Sequence, residues 1–249
     1  MKLAICVNHI SVNLSDNINS IKNYIFEASS VGAECIIFSE TALTGLINND
    51  DPEHDIILAC TIESEEIQDV LRFCRVQKID TAFGFFERSG NSIYDSAVYF
   101  DHKSGENHVY RRISPGWHGA GEDSEIYRQG TEVKVFDTKI GKISFLICGD
   151  LFDDRLIEAV RDNGSDLVIV PFARCFSEGI DAQTEWDSTE KYFYTDQVRK
   201  IGKKTALVNY ISGYNDGDYF GGALFVGKDG MIINEKPIYE KGILYVDLD

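Results

Sequence analysis

Apolar residues along this chain fall into two rhythms, short runs and three-and-four spacing, and their alternation predicts a layered α/β fold. Leu3-Ala4-Ile5-Cys6-Val7 reads as a first strand. Ser15-Asp16 then caps a helix whose Ile18, Ile21, Ile25 and Ala28 share one face, and Gly32 closes it. Residues 34–38 form a strand that ends just before Glu40, and a helix over 63–78 carries Ile67, Val70, Leu71 and Cys74. Strands follow at 81–87, 94–100 and 107–112, separated by Ser89-Gly90-Asn91 and Lys103-Ser104-Gly105. Such close spacing permits hairpins, so part of the sheet is expected to be antiparallel. Residues 132–138 and 141–147 predict another hairpin about Ile140-Gly141. A helix at 154–163, a strand at 166–170, a long helix at 183–203 and a strand at 205–211 come next. A meander at 219–226, 231–235 and 242–248 completes the pattern. With no linker, low-complexity stretch or internal repeat in between, residues 1–249 are expected to form one domain.

Composition narrows the classes of function. The net charge of −17, with no basic run, argues against a surface that tracks phosphates, so nucleic acid is not an expected partner. No stretch approaches a membrane span, and the apolar N-terminal run is too short for a signal peptide. The six cysteines are scattered without a Cys-x-x-Cys pair, which suggests reduced thiols in a cytoplasmic protein. Cys6, Cys35 and Cys74 fit core positions as small hydrophobes. No His, Cys or carboxylate cluster has the spacing of metal ligands, so neither a metal nor a cofactor is expected.

Cys148 stands apart. In Lys-Ile-Ser-Phe-Leu-Ile-Cys148-Gly149-Asp-Leu-Phe, an apolar strand-like run stops at a thiol followed by glycine, where a substrate has access to the sulfur. Glu40 stands just past another strand end, in Ala-Glu-Cys-Ile-Ile-Phe-Ser39-Glu40-Thr41. If the two strands run parallel, both side chains emerge on one sheet edge, where open α/β sheets bind ligands. A thiol beside a carboxylate suggests a nucleophile and its base. Taken singly, each residue also fits a plainer part, a core thiol and a solvated or helix-capping carboxylate.

Five segments in this order resemble the nitrilase, or carbon–nitrogen hydrolase, superfamily over nearly the whole chain. Phe38-Ser39-Glu40-Thr-Ala-Leu-Thr44-Gly45 looks like its glutamate motif, and Gly84-Phe-Phe-Glu87 with Tyr94-Asp95-Ser96-Ala97 like its central strands. Tyr110-Arg111-Arg112-Ile113 occupies the lysine motif and Ile147-Cys148-Gly149-Asp150-Leu151 the cysteine motif. Phe220-Gly221-Gly222-Ala223 with Asp229-Gly230 also fits. The resemblance implies a four-layer αββα sandwich with mixed sheets, assembled as a homodimer. It also implies hydrolysis of a non-peptide C–N bond, with a small linear amide as the expected substrate. Glu40 would take the thiol proton, Cys148 would attack to give an acyl-thioester, and water would release the acid. A free thiol is only about a few per cent ionised at neutral pH, so such a nucleophile needs a base or a cation.

The sequence departs from the family pattern at the lysine. Arg112 stands in its place; arginine can hold positive charge beside an oxyanion but does not release a proton under working conditions. Three readings therefore stay open: an amidohydrolase using Glu40, Arg112 and Cys148, a member that has lost hydrolysis and binds a ligand or protein, and an acyltransferase. The family's supporting glutamate falls within Glu122-Asp123-Ser124-Glu125, with Glu122 and Asp123 the leading candidates. The glycine-rich segment 113–121, with Trp117 and His118, is expected to be a pocket loop, and His118 is weighed as an alternative base. Gly149 beside the thiol, and Phe172 and Ala173 after a strand, are further substrate-binding candidates. Trp186, Tyr192 and Phe193 at helical spacing read as core or interface.

Overall fold

Alternation along the first strand, β1 (Lys2–Val7), sends Leu3, Ile5 and Val7 to one side and Ala4 and Cys6 to the other, and both sides are buried. A strand apolar on both faces needs cover on both, and the computed structural model supplies it with a second sheet on one side and helices on the other. It describes residues 1–119, 125–177, 179–212 and 218–248. Glu122 and Asp123 lie outside the described residues.

The first sheet has the order β14-β1-β2-β3-β4-β5, where β2 is Cys35–Ile37, β3 Asp80–Ser89, β4 Ser92–Phe100, β5 Asn107–Arg111 and β14 Gly242–Asp247. Its centre is parallel, β1 with β2 and β2 with β3, while β3-β4-β5 is an antiparallel meander. The second sheet runs β11-β12-β10-β8-β7-β6, with β13 and β9 also paired to β12. These strands are β6 (Phe136–Thr138), β7 (Gly141–Phe145), β8 (Leu167–Pro171), β9 (Cys175–Phe176), β10 (Lys204–Val208), β11 (Ile211–Ser212), β12 (Asp218–Val226) and β13 (Ile232–Ile238). Here too the centre, β7-β8-β10, is parallel.

Three packed clusters set the layers. Between the sheets, Leu3, Ile5, Ile37, Ala97 and Tyr99 meet Ile143, Phe145, Ile169, Val208 and Phe225. Outside the first sheet lie α1 (Leu14–Ser30), through Ile18, Ile21, Ile25 and Ala28, and α3 (Glu65–Gln77), through Ile67, Val70, Leu71 and Cys74. Outside the second lie α4 (Asp154–Asp162), through Leu156, Ile157 and Val160, and α6 (Lys191–Ile201), through Tyr194, Val198 and Ile201. The order is helix, sheet, sheet, helix, as the resemblance implies, with mixed sheets. No helix among the described residues is long and apolar enough to cross a membrane.

Differences from the sequence pattern have local causes. A short α2 (Pro52–Leu58) follows Asp51, whose side chain accepts from the Glu53 N–H; it escaped the periodicity because its one buried residue is Asp55. The expected long helix over 183–203 is α5 (Ala182–Glu185), a π-type turn (Trp186–Glu190) and then α6. Strand β7 ends at Phe145, before Cys148, and Cys148–Phe152 forms a 3-10 turn. The expectation of one sheet edge is also corrected: β2 and β7 belong to different sheets, so the residues after them meet across the sandwich.

Candidate active site

Glu40 owes its place to β2 and to a glycine on the neighbouring strand. Beyond β2, the ladder to β3 continues through Phe38 N–H to Ala82 O (2.8 Å) and Gly84 N–H to Ser39 O (3.0 Å). A Cβ on Gly84 would stand 2.7 Å from the Glu40 Cα, so only glycine lets the chain cross β3 here. Thr41 then turns with φ 46°, and the Thr44 hydroxyl accepts the Phe86 N–H at 3.1 Å. This anchoring explains the Thr-Ala-Leu-Thr-Gly continuation of the motif. Glu40 ends 1% exposed.

Cys148 reaches the same place from the other sheet on a strained elbow, with φ 47° in a region that non-glycine residues seldom adopt. Asp150 holds that elbow. It is fully buried and accepts the Ile147 N–H (3.0 Å), the Ile113 N–H (3.0 Å), the Ser114 N–H (2.6 Å) and the Tyr110 hydroxyl (2.8 Å). One carboxylate thus ties the cysteine turn to the segment that carries Arg112. Burial pushes the Asp150 carboxyl up from its ordinary value, and these donors oppose the shift.

The two adjacent arginines point opposite ways. Arg111 forks onto Glu87 (2.8 and 2.6 Å) and lies over the Tyr94 ring at 3.8 Å. Arg112 turns inward, 6% exposed, and its Nη1 donates to Glu40 Oε1 at 2.8 Å and approaches Asp95 Oδ2 at 3.4 Å. Its Nε donates to the Ser114 hydroxyl (3.0 Å) and Nη2 to the Pro115 carbonyl (3.3 Å). Burial opposes the guanidinium charge, but Glu40, Cys148 and Asp95 around it keep it charged above the usual arginine range. Burial, followed by the facing Cys148 sulfur, pushes Glu40 up to about 8 against the pull of Arg112.

Glu40, Arg112 and Cys148 line one cavity of about 500 Å³ together with Leu46, Asn48, Asp50, Trp117, His118, Ala173 and Tyr219. Of the substrate-binding candidates, Trp117, His118 and Ala173 face this cavity. Phe172 does not: it is 1% exposed and packs on Tyr194 in the outer core. Gly149 works from behind, since a Cβ there would stand 2.7 Å from Arg112 Nη2 and 2.9 Å from the Ser114 hydroxyl. We expect Gly149→Ala to push the guanidinium fork off Glu40 and lower kcat at least tenfold, with a smaller effect on stability. Steady-state kinetics beside thermal unfolding checks this split. His118 stacks on Tyr127 at 4.9 Å and contacts Gln129 at 3.0 Å, and burial lowers its pKa, which suits a wall of the cavity.

Asp95 and Asp55 had escaped the sequence reading. Asp95 carried a signal: it shares the inward register of Ala97 and Tyr99 on β4, where an apolar residue is the norm. Asp55 accepts the N–H groups of Asn49 and Asp50 (both 3.1 Å) and the Tyr127 hydroxyl (2.6 Å), and so fixes the cavity rim. Among the described residues, Asp80, Asp101 and His102 bring possible metal-ligand atoms within 4.8 Å of one another, a grouping that linear spacing did not reveal. It lies at the start of β3, away from Cys148, and Asp80 is already engaged by Tyr99 (2.6 Å) and His102 (2.6 Å).

The Carbon-nitrogen hydrolase family profile matches residues 2–249. The chain belongs to that family. It is 21% identical over 246 residues to a probable nitrilase of Schizosaccharomyces pombe, covering 95% of this chain and 85% of the relative. It is 22% identical over 254 residues to a citrullinase of Francisella tularensis, covering 100% and 89%. Its fold matches an amidase of Nesterenkonia sp. AN1, a mutant carrying acrylamide on its active-site cysteine, with TM-score 0.80 and 19% identity over 100% of this chain and 93% of that one.

Proposed function

We propose that residues 1–249 act as one catalytic domain, a cytoplasmic thiol amidohydrolase that cleaves a small linear amide through an acyl-thioester on Cys148. The convergence of a buried carboxylate, a fixed cation and a thiol on a strained turn on one cavity carries this reading. In the proposed cycle, Glu40 takes the thiol proton and the Cys148 sulfur bonds to the amide carbon. The C–N bond then breaks, and the amine leaves with that proton. Water next attacks the thioester, giving up a proton to Glu40, and the acid departs as the thiol reforms. Arg112 serves as the fixed positive charge beside the oxyanion; a preorganised donor of this kind costs no reorganisation during the reaction.

Amides are preferred to nitriles as the broader activity implied by the family, and the citrullinase and amidase relatives agree in kind. One observation favours a second reading, an impaired ligand-binding member. The 2.8 Å ion pair between Arg112 and Glu40 occupies the base in the resting site and must be shared or broken before Glu40 takes the thiol proton. Intact-mass analysis decides between them, after incubation with a panel of linear amides, glutamine, carbamoyl compounds and nitriles. An acyl adduct on Cys148 with turnover supports the hydrolase, and an acyl group passed to an added amine supports the transferase. Binding without adduct or turnover supports the second reading.

We also propose a homodimer built on helix faces. Tyr192 and Phe193 on α6 are 67% and 58% exposed, more than large aromatic residues normally leave to water. Light scattering at micromolar concentration is expected to give a dimer for the parent and a monomer for Phe193→Glu; a monomeric parent would sink the proposal.

A further inference from the structure

Two buried acceptor atoms at this site have no hydrogen-bond partner among the described residues. Glu40 Oε2 and Asp95 Oδ1 are both enclosed and unpaired, although the other oxygen of each carboxyl is within 3.4 Å of the same Arg112 Nη1. A buried acceptor left unpaired is costly, so orphans on two carboxyls within hydrogen-bond contact of each other need an explanation. The charge count points to one. Two fully enclosed carboxyls face one guanidinium, and among the described residues the charged groups that act on them include no other cation. Those groups are Cys148 and Arg112 around Glu40, and Arg112 and Asp150 around Asp95; Tyr194 of α6 also feels Glu40. One extra proton between the two carboxyls would balance the charge and fill both orphan positions with a single O–H···O bond.

We propose that Asp95 is a positioning residue that keeps its proton and donates it to Glu40 Oε2, so that Glu40 is the carboxyl of the pair that ionises, opposite Arg112. The inference rests on the hydrolase reading above, in which Glu40 is the base. The thiol proton would pass to Glu40 and return from it, while the Asp95 proton stays on Asp95 throughout. Where the family expects lysine, this chain carries a cation that never loses its charge and has a wider fork. A neutral donor on β4 lets Glu40 share that fork and fixes the turn of its carboxylate, whose oxygens each keep a second lone pair for the thiol proton. Burial, then the Glu40 charge, pushes Asp95 well above the usual carboxylate range, in keeping with this arrangement.

The test compares Asp95→Asn, which keeps a neutral donor, with Asp95→Leu, which fills the space without one. Amide turnover and the rate of Cys148 alkylation are measured against pH, with thermal unfolding to confirm folding. The acid limb of both profiles should stay at the parent's pH in Asp95→Asn. In Asp95→Leu it should move up by a unit or more, lowering the pH 7 rate about tenfold. A limb that moves down in Asp95→Asn would mean that Asp95 is ionised in the parent and would overturn the proposal; so would identical behaviour of the two variants. If Asp95→Leu fails to fold, the Asp95→Asn limb still decides, as does the infrared spectrum of the parent at pH 7. There, a protonated-carboxyl band that Asp95→Asn removes is expected, and its absence overturns the assignment. If no amide is turned over, the hydrolase reading fails while the alkylation profile still reads the carboxyl pair.

Discussion

On the proposed function, Cys148→Ala is expected to abolish amide turnover, by about a thousandfold or more, and to leave the fold intact. The size follows from the role: removing a nucleophile removes the covalent route itself, and the comparable loss in a serine protease reaches about a millionfold. The small effect on stability follows from the site. Cys148 is only half-buried, sits at positive φ and contributes one sulfur to the edge of two clusters. The other cysteines provide the internal control. Cys6, Cys35, Cys60 and Cys74 are buried, and burial raises the pKa of each thiol. A mild electrophile should therefore mark Cys148 first in the parent, with Cys175, also half-buried, the main competitor. Peptide mapping after brief alkylation checks the order. Labelling of Cys175 with Cys148 inert, or full turnover in Cys148→Ala, would remove the thiol from the mechanism.

The parts of this fold visible in the sequence are those where periodicity and burial agree. The helix faces of Ile18-Ile21-Ile25-Ala28 and Ile67-Val70-Leu71-Cys74 pack as the spacing implies, because each covers one sheet face. The motifs around Glu40 and Cys148 were legible because strand ends followed by glycine or by capping polar residues have few other uses. What a linear pattern lacks is the partner across the sandwich. No spacing rule places Glu40 and Cys148 in different sheets, since β2 and β7 are each parallel-paired strands and nothing in either names its neighbour. Asp55 hid for a related reason: it is the single buried residue of a short helix and serves backbone donors in a loop. Asp95 was on the page as part of a strand motif, yet its meaning depends on Arg112, which arrives from the next strand.

Arg112→Ala should damage chemistry and stability together. For turnover, loss of one preorganised donor costs about 2.7–4 kcal/mol, so the rate should fall at least about a hundredfold. Cys148 alkylation at neutral pH should slow with it, because the cation that favours a thiolate is gone. For stability, removing one partner of a buried ion pair typically costs about 3–5 kcal/mol, and here Arg112 answers two carboxyls. The pH dependence gives the loss its signature. Glu40 is raised from 4.5 to about 8 in the folded protein, so its contribution to stability is fully present below 4.5 and fades as pH rises through about 8. Without the guanidinium, both carboxyls hold their protons to still higher pH, and forcing them to ionise costs more. The stability deficit of Arg112→Ala against the parent should therefore stay level below about pH 7, where both proteins hold these protons, and grow as pH rises through about 8, where only the parent's Glu40 ionises. Arg112→Lys restores a cation but not the contacts of Nε and Nη2 with Ser114 and Pro115, so it should recover part of both losses. Urea unfolding of the three proteins at several pH values, beside the alkylation rate of each, measures both effects. A deficit that does not change with pH would mean that Arg112 does not bear on these carboxyls. Unchanged alkylation in Arg112→Ala would mean that the arginine does not serve the thiol, and the three-residue site would have to be redrawn around His118.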